Sequence, residues 1–225
     1  MSEAAPAPPT PPPLQRIRIW DWPTRAFHWL LVLLIAGLWW TAEYDRLELH
    51  VTLGVVTAGL LLFRLLWGIF GSSTARFSNF LKGPRGVLSY LNGRSAHALG
   101  HNPLGGWSVA AMLAVLTAQV GLGLFSEDND GLAWGPLSEL LESDTVEWVT
   151  ELHEWLFNVV LALIALHVVA IIVYAVKRRN LVSPMLTGRG TALQGTAPMQ
   201  PAPAWRLLLA LLLSAGISFW LWGRL

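Results

Sequence analysis

Apolar residues in this chain fall into long unbroken runs rather than stripes or alternations. Four runs reach the length of about 20 residues that a helix needs to cross a bilayer. They cover roughly 26–42, 49–70, 104–125 and 152–176. A fifth and shorter run covers roughly 205–222, after a stretch rich in Gly, Pro and Ala. Unbroken apolarity of this kind predicts buried or lipid-facing helices, because one solvated face would leave a polar stripe. The fourth helix is expected to begin before its run, with Asp144 as N-cap and Glu147 three residues on as a capping box. A helix from about 145 to 177 would be roughly 50 Å long, longer than a bilayer core, and would stand out of the membrane. The predicted fold is therefore an all-α integral membrane bundle, with a four-helix core and a further C-terminal transmembrane helix.

Composition sharpens this reading. Of 225 residues, 54% are hydrophobic and only 13% charged, whereas soluble domains carry about 25% charge. The net charge of +1 gives no field for nucleic acid. With no Cys there is no disulfide, thiolate zinc site, iron–sulfur ligation or thioether-linked haem. The Trp residues at 20, 22, 39, 40, 67, 107, 205, 220 and 222 lie near run ends and read as interfacial anchors. The expected organisation is a Pro-rich disordered tail over 1–15, a transmembrane domain over 16–190, and a linker with the extra helix over 191–225.

Loop charge sets an expected orientation. Segment 71–103 carries Arg76, Lys82, Arg85 and Arg94 and no acid, and Lys177, Arg178, Arg179, Arg189 and Arg206 follow the fourth run. Segment 126–151 carries eight acids and no base, and the short loop 43–48 holds Glu43, Asp45 and Glu48 against Arg46. The positive-inside rule then places the N-terminus and loop 71–103 in the cytoplasm, and the acidic loops outside.

Candidate chemistry rests on histidine. His97 and His101 lie in the basic loop, while His28, His50, His153 and His167 lie in apolar runs. Ionisable residues inside spans are costly, so each marks a candidate site. His153 and His167, 14 residues apart on one helix, return to within about 40° of the same face and rise about 21 Å. Chain direction puts His50 and His153 at the outer depth and His28 and His167 at the inner one. Two opposed imidazoles at one depth suit bis-His haem, with no open iron position, and hence electron transfer. Zinc would need more polar ligands at one depth. Arg64, 14 residues after His50, reads either as a snorkelling side chain or as a partner for a propionate of the inner haem. Arg25, three residues before His28, suits the same role or a quinone headgroup, and His101 is a further quinone candidate. Gly37, Gly54, Gly59, Gly121 and Gly123 suit close approach of a porphyrin or a helix.

Several fragments together resemble the bacterial cytochrome b561 family, which includes the cytochrome b subunits of membrane-bound nickel–iron hydrogenases. They are WDWPTRAFHWLLV, LHVTLGVV, FRLLWGIFG, GPRGVLSYL, GHNPLGG and HEWLFNVVLALIALHVVAIIVY. The resemblance covers about 16–190. It implies a four-helix core, two non-covalent haems b and exchangeable quinone, with His28, His50, His153 and His167 as the iron ligands. The expected function is electron transfer in the bacterial inner membrane, between the quinone pool and an external redox protein such as a c-type cytochrome or a hydrogenase. Such a chain acts as an electron-transfer subunit more readily than as a stand-alone enzyme. A stand-alone superoxide:quinone oxidoreductase is the alternative, and the acidic outer loops oppose it because superoxide is an anion. A transporter or haem carrier is a second alternative, and it lacks visible inverted repeats or broken helices.

Overall fold

A computed structural model of the chain describes residues 13–93, 99–128, 130–131 and 133–225. The described residues form eight α-helices, one 3-10 turn (Ser138–Leu140) and two short strands. Five helices are long and apolar enough to cross a membrane: α1 (Trp22–Glu43), α2 (Leu47–Phe70), α5 (Pro103–Gly123), α6 (Ser143–Val176) and α8 (Ala204–Trp222). Three short helices, α3 (Phe77–Phe80), α4 (Pro84–Leu91) and α7 (Val182–Thr187), lie between them. Strand β1 (Leu14–Arg18) pairs antiparallel with β2 (Arg189–Leu193), with Leu14 opposite Leu193 and Arg18 opposite Arg189.

Local sequence explains the boundaries. Asp21 caps α1 by accepting from the Thr24 backbone N–H at 2.8 Å, and Pro23 follows in the first turn, where its missing N–H costs nothing. Asn102 caps α5 in the same way, accepting from Gly105 N–H at 2.7 Å with Pro103 next. The start of α6 differs from expectation. Its N-cap is Glu142, without a side-chain cap bond, and Asp144 sits in the first turn, where its charge still favours the helix N-terminus. At 34 residues α6 spans about 51 Å, well beyond a hydrocarbon core of about 30 Å.

Helix α2 is the hub, packing against α1, α5 and α8, while α6 packs closely on α5. Small residues set the α2–α8 contact: a Cβ on Gly59 would collide with Ser218 Oγ and lie 3.1 Å from the Ser214 carbonyl. Lipid is as apolar as Leu, so close van der Waals contact rather than hydrophobic exclusion holds such helices together. The same physics leaves Leu208, Leu212 and Phe219 of α8 exposed on the outer surface. The shared core of α1, α2, α5, α6 and α8 comprises Phe27, Leu31, Leu61, Phe63, Trp67, Leu113, Leu116, Val160 and Ala210.

Three expectations need correction. Leu14 and Gln15, assigned to the disordered tail, belong to β1, and the rest of that tail up to residue 12 lies outside the described residues. The start of the expected linker forms β2, and the segment after it is tied down. Met199 N–H donates to the Arg18 carbonyl at 2.9 Å, and Gln200 N–H donates to Ser73 Oγ at 2.9 Å. Trp20 and Trp67 are not interfacial anchors. They are 7% and 2% exposed, and Trp67 Nε1–H donates to Asp21 Oδ2 at 2.8 Å.

Candidate functional site

Helix α6 carries His153 and His167 on one face, and each meets a histidine from another helix. The rings of His50 and His153 have centroids 6.3 Å apart, and those of His28 and His167 lie 6.5 Å apart. These pairs link α6 to α2 and to α1, helices on which α6 does not pack extensively.

Two imidazoles holding one metal from opposite sides would have ring centroids about 6.2 Å apart, given about 2.0 Å from metal to nitrogen and about 1.1 Å from nitrogen to ring centre. Both pairs match that spacing. Among the described residues no cluster of three or more His, Asp or Glu could hold a metal ion. A metal at either pair must bring its remaining ligands with it, as the iron of a porphyrin does. Gly54, one turn beyond His50, has no atom within 4 Å of a Cβ position, and neither does Gly121. Gly123 is required by His153, because a Cβ there would lie 2.8 Å from His153 Cε1. Gly37 serves helix packing, with Leu53 Cδ1 at 3.2 Å from its Cβ position.

The surroundings of the two pairs differ. His50 Nδ1–H donates to the Leu38 carbonyl at 2.9 Å, with Thr41 Oγ1 at 3.2 Å. His153 Nδ1–H donates to the Gln119 carbonyl at 2.9 Å, and the Gln119 side-chain amide donates to the His153 carbonyl at 3.0 Å. With Nδ1 donating, Nε2 of each ring carries the lone pair; the Gln119 amide stands 3.4 Å from that of His153. His28 Nδ1 is buried without a hydrogen-bond partner, and its ring stands edge-on to Trp29 at 4.9 Å.

Arg64 does not snorkel. It is 3% exposed, donates from Nη1 to the Ala75 carbonyl at 3.4 Å, and stands over the rings of Phe77 at 5.1 Å and Phe27 at 5.9 Å. Asp21 is the carboxylate whose charge reaches it. His101 is enclosed between Trp20 at 4.7 Å and Phe80 at 4.6 Å; burial, with the Arg64 guanidinium nearby, pushes its pKa down to about 4. Arg25 points elsewhere, donating from Nη1 to the Leu186 carbonyl of α7. The structure thus joins Arg64 with His101 and sends Arg25 to α7. His97 lies outside the described residues.

Sequence reasoning missed a groove of about 550 Å³ between α4 and α6. Leu166, Val169 and Val173 form its apolar wall, and Tyr90, Tyr174 and Lys177 its polar end. Asn102 Nδ2 donates to Tyr174 Oη at 2.7 Å, and the two phenol oxygens are 3.5 Å apart. Tyr174 follows His167 by seven residues, about 10 Å along α6 on the same face. That periodicity was the available signal, although only the fold brings α4 alongside. Gln119 carried a weaker one, as an amide inside an apolar run.

At the opposite end, Thr150 Oγ1 bonds both the N–H and the carbonyl of Glu127, which ties loop 124–141 to α6. Glu127, Trp134 and Glu139 line a cleft of about 270 Å³ there.

No curated protein and no solved structure matches the chain. A family-wide sequence profile described as prokaryotic cytochrome b561 matches residues 19–188, from the end of β1 to the turn before β2, and leaves α8 outside. With most of its length matched and five helices able to span a bilayer, the chain belongs to the prokaryotic cytochrome b561 family and is a haem-b-binding membrane cytochrome of electron transfer.

Proposed function

We propose that the chain holds two haems b, one between His28 and His167 and one between His50 and His153, and relays electrons between the quinone pool and a redox protein on the other side of the membrane. The observation that carries this reading is the pair of imidazole pairs, at 6.5 Å and 6.3 Å, set 14 residues apart along one helix. Iron in such a porphyrin, when bound, passes one electron at a time between its ferric and ferrous states. The protein's part is placement. The rise of about 21 Å between His153 and His167 sets one pair toward each side of a core of about 30 Å. Two histidines on one iron would leave it no open position, which would favour electron transfer over oxygen chemistry. Arg64 supplies a buried cation at the His28/His167 end for the acidic edge of a porphyrin, and Arg25 lies one helical turn before His28.

The quinone reading draws on the α4–α6 groove rather than on Arg25, Arg64 and His101 acting together. Its phenols offer hydrogen bonds to a quinone ring, with Tyr174 Oη held by Asn102, and its apolar wall suits a hydrocarbon tail. The basic residues around this end favour the cytoplasmic face of a bacterial inner membrane for it. The acid-rich face at the other end suits a basic redox partner such as a c-type cytochrome, with encounter rates that fall as salt rises. The same acids repel superoxide, which weighs against a superoxide:quinone oxidoreductase.

Haem quantification in single variants tests the ligands. His50→Ala and His153→Ala should each lose the same one of two haems, and His28→Ala and His167→Ala the other. Loss of one and the same haem in His50→Ala and His167→Ala would sink the pairing.

A further inference from the structure

Four histidines with the same job stand in two different polar environments. At the His50/His153 end both Nδ1–H groups donate to backbone carbonyls, those of Leu38 and Gln119, at 2.9 Å each. Thr41 completes the arrangement. It is 0% exposed, and its hydroxyl donates to the Gly37 carbonyl at 2.8 Å, which turns an oxygen lone pair toward His50 Nδ1 at 3.2 Å. At the His28/His167 end His28 Nδ1 is buried without any acceptor, and the His167 ring makes no hydrogen bond among the described residues.

An imidazole whose N–H is donated to a carbonyl becomes the more basic, more electron-rich ligand. Such a ligand stabilises ferric over ferrous iron and lowers the reduction potential. Fixed charge acts in the same direction. Glu151 and Glu154 flank His153 on α6, where anions favour the oxidised state.

We propose that Thr41, with the carbonyls of Leu38 and Gln119, makes the His50/His153 site the lower-potential of the two, and that Thr41 is the positioning residue that tunes it. The inference rests on the two-haem reading above and adds an order to the two sites. Electrons then run downhill from the acidic-loop end toward the end that carries the α4–α6 groove.

The test is a spectroelectrochemical titration of the full-length chain, with haem content measured on the same samples. The wild type should titrate in two waves, and the variant His153→Ala should retain the higher one. Thr41→Val keeps the shape and removes the hydroxyl. It should raise the lower wave by roughly fivefold in the one-electron equilibrium, roughly 40 mV, which is the scale of one neutral hydrogen bond. The higher wave should stay in place, and Thr41→Ser should restore the lower one. A lower wave unmoved by Thr41→Val, or a His153→Ala variant that retains the lower wave, overturns the proposal. A wild type holding a single haem sinks the ligand assignment instead, and the ordering with it.

Discussion

Replacing Gly123 with Ala asks whether the His153 imidazole is held in one place by the backbone of α5. An alanine Cβ at this position would lie 2.8 Å from His153 Cε1 and 3.2 Å from Nδ1. Carbon–carbon contact is comfortable from about 3.5 Å, so the ring must retreat by roughly 0.7 Å. Metal–ligand distances tolerate only about 0.2 Å. The same retreat stretches the 2.9 Å bond from Nδ1–H to the Gln119 carbonyl beyond hydrogen-bonding range. Disturbing a ligand's supporting bond typically costs about 10–100-fold in metal affinity. Gly123→Ala should therefore lose the His50/His153 haem and keep the other, although Ala favours the helix itself by about 1 kcal/mol over Gly. Gly216→Ala is the control. It also removes a glycine from a span, but its Cβ would meet nothing within 4 Å, so both haems should remain. Haem content per chain and reduced-minus-oxidised spectra read the outcome. Two haems and an unchanged spectrum in Gly123→Ala would refute the claim that α5 fixes His153.

Two further predictions concern the Asp21 cluster. Asp21→Ala removes the N-cap of α1 at about 1 kcal/mol and strands the buried Trp67 N–H at a further 1–3 kcal/mol, roughly. It should lower the melting temperature in detergent, whereas Asp21→Asn, which keeps one acceptor oxygen and sets an amide donor in place of the other, should cost less; a loss equal to that of Asp21→Ala would refute this division of work between the two oxygens. His101, with a pKa pushed down from 6.5 to about 4, binds its proton more weakly folded than unfolded. Its neutral form supports the fold fully above about pH 6.5, and that support is lost as pH falls toward 4, up to about 3 kcal/mol. His101→Leu should flatten the pH dependence of stability in that window, measured by thermal melts between pH 4 and 7, and an unchanged slope would assign the acid sensitivity elsewhere.

The membrane character of this chain was legible in its sequence because a bilayer imposes a one-dimensional rule. Each span must satisfy its own backbone and face lipid, so α1, α2, α5, α6 and α8 announce themselves as apolar runs whatever they pack against. The shared face of His153 and His167 was legible for a similar reason, since the period of a single helix decides it. Contacts between elements distant in sequence were not legible. A snorkelling Arg64 and a buried Arg64 have the same local sequence, and only the return of the 71–77 segment over α2 closes the first option. Trp67 looked like an anchor until Asp21, 46 residues earlier, proved to be its acceptor. The pairing of β1 with β2 joins segments about 175 residues apart that carry no strong strand pattern of their own. Gln119 and Thr41 are ordinary polar residues in their spans. Their roles depend on helix packing that brings one beside His153 and the other beside His50, and tertiary structure alone supplies that proximity.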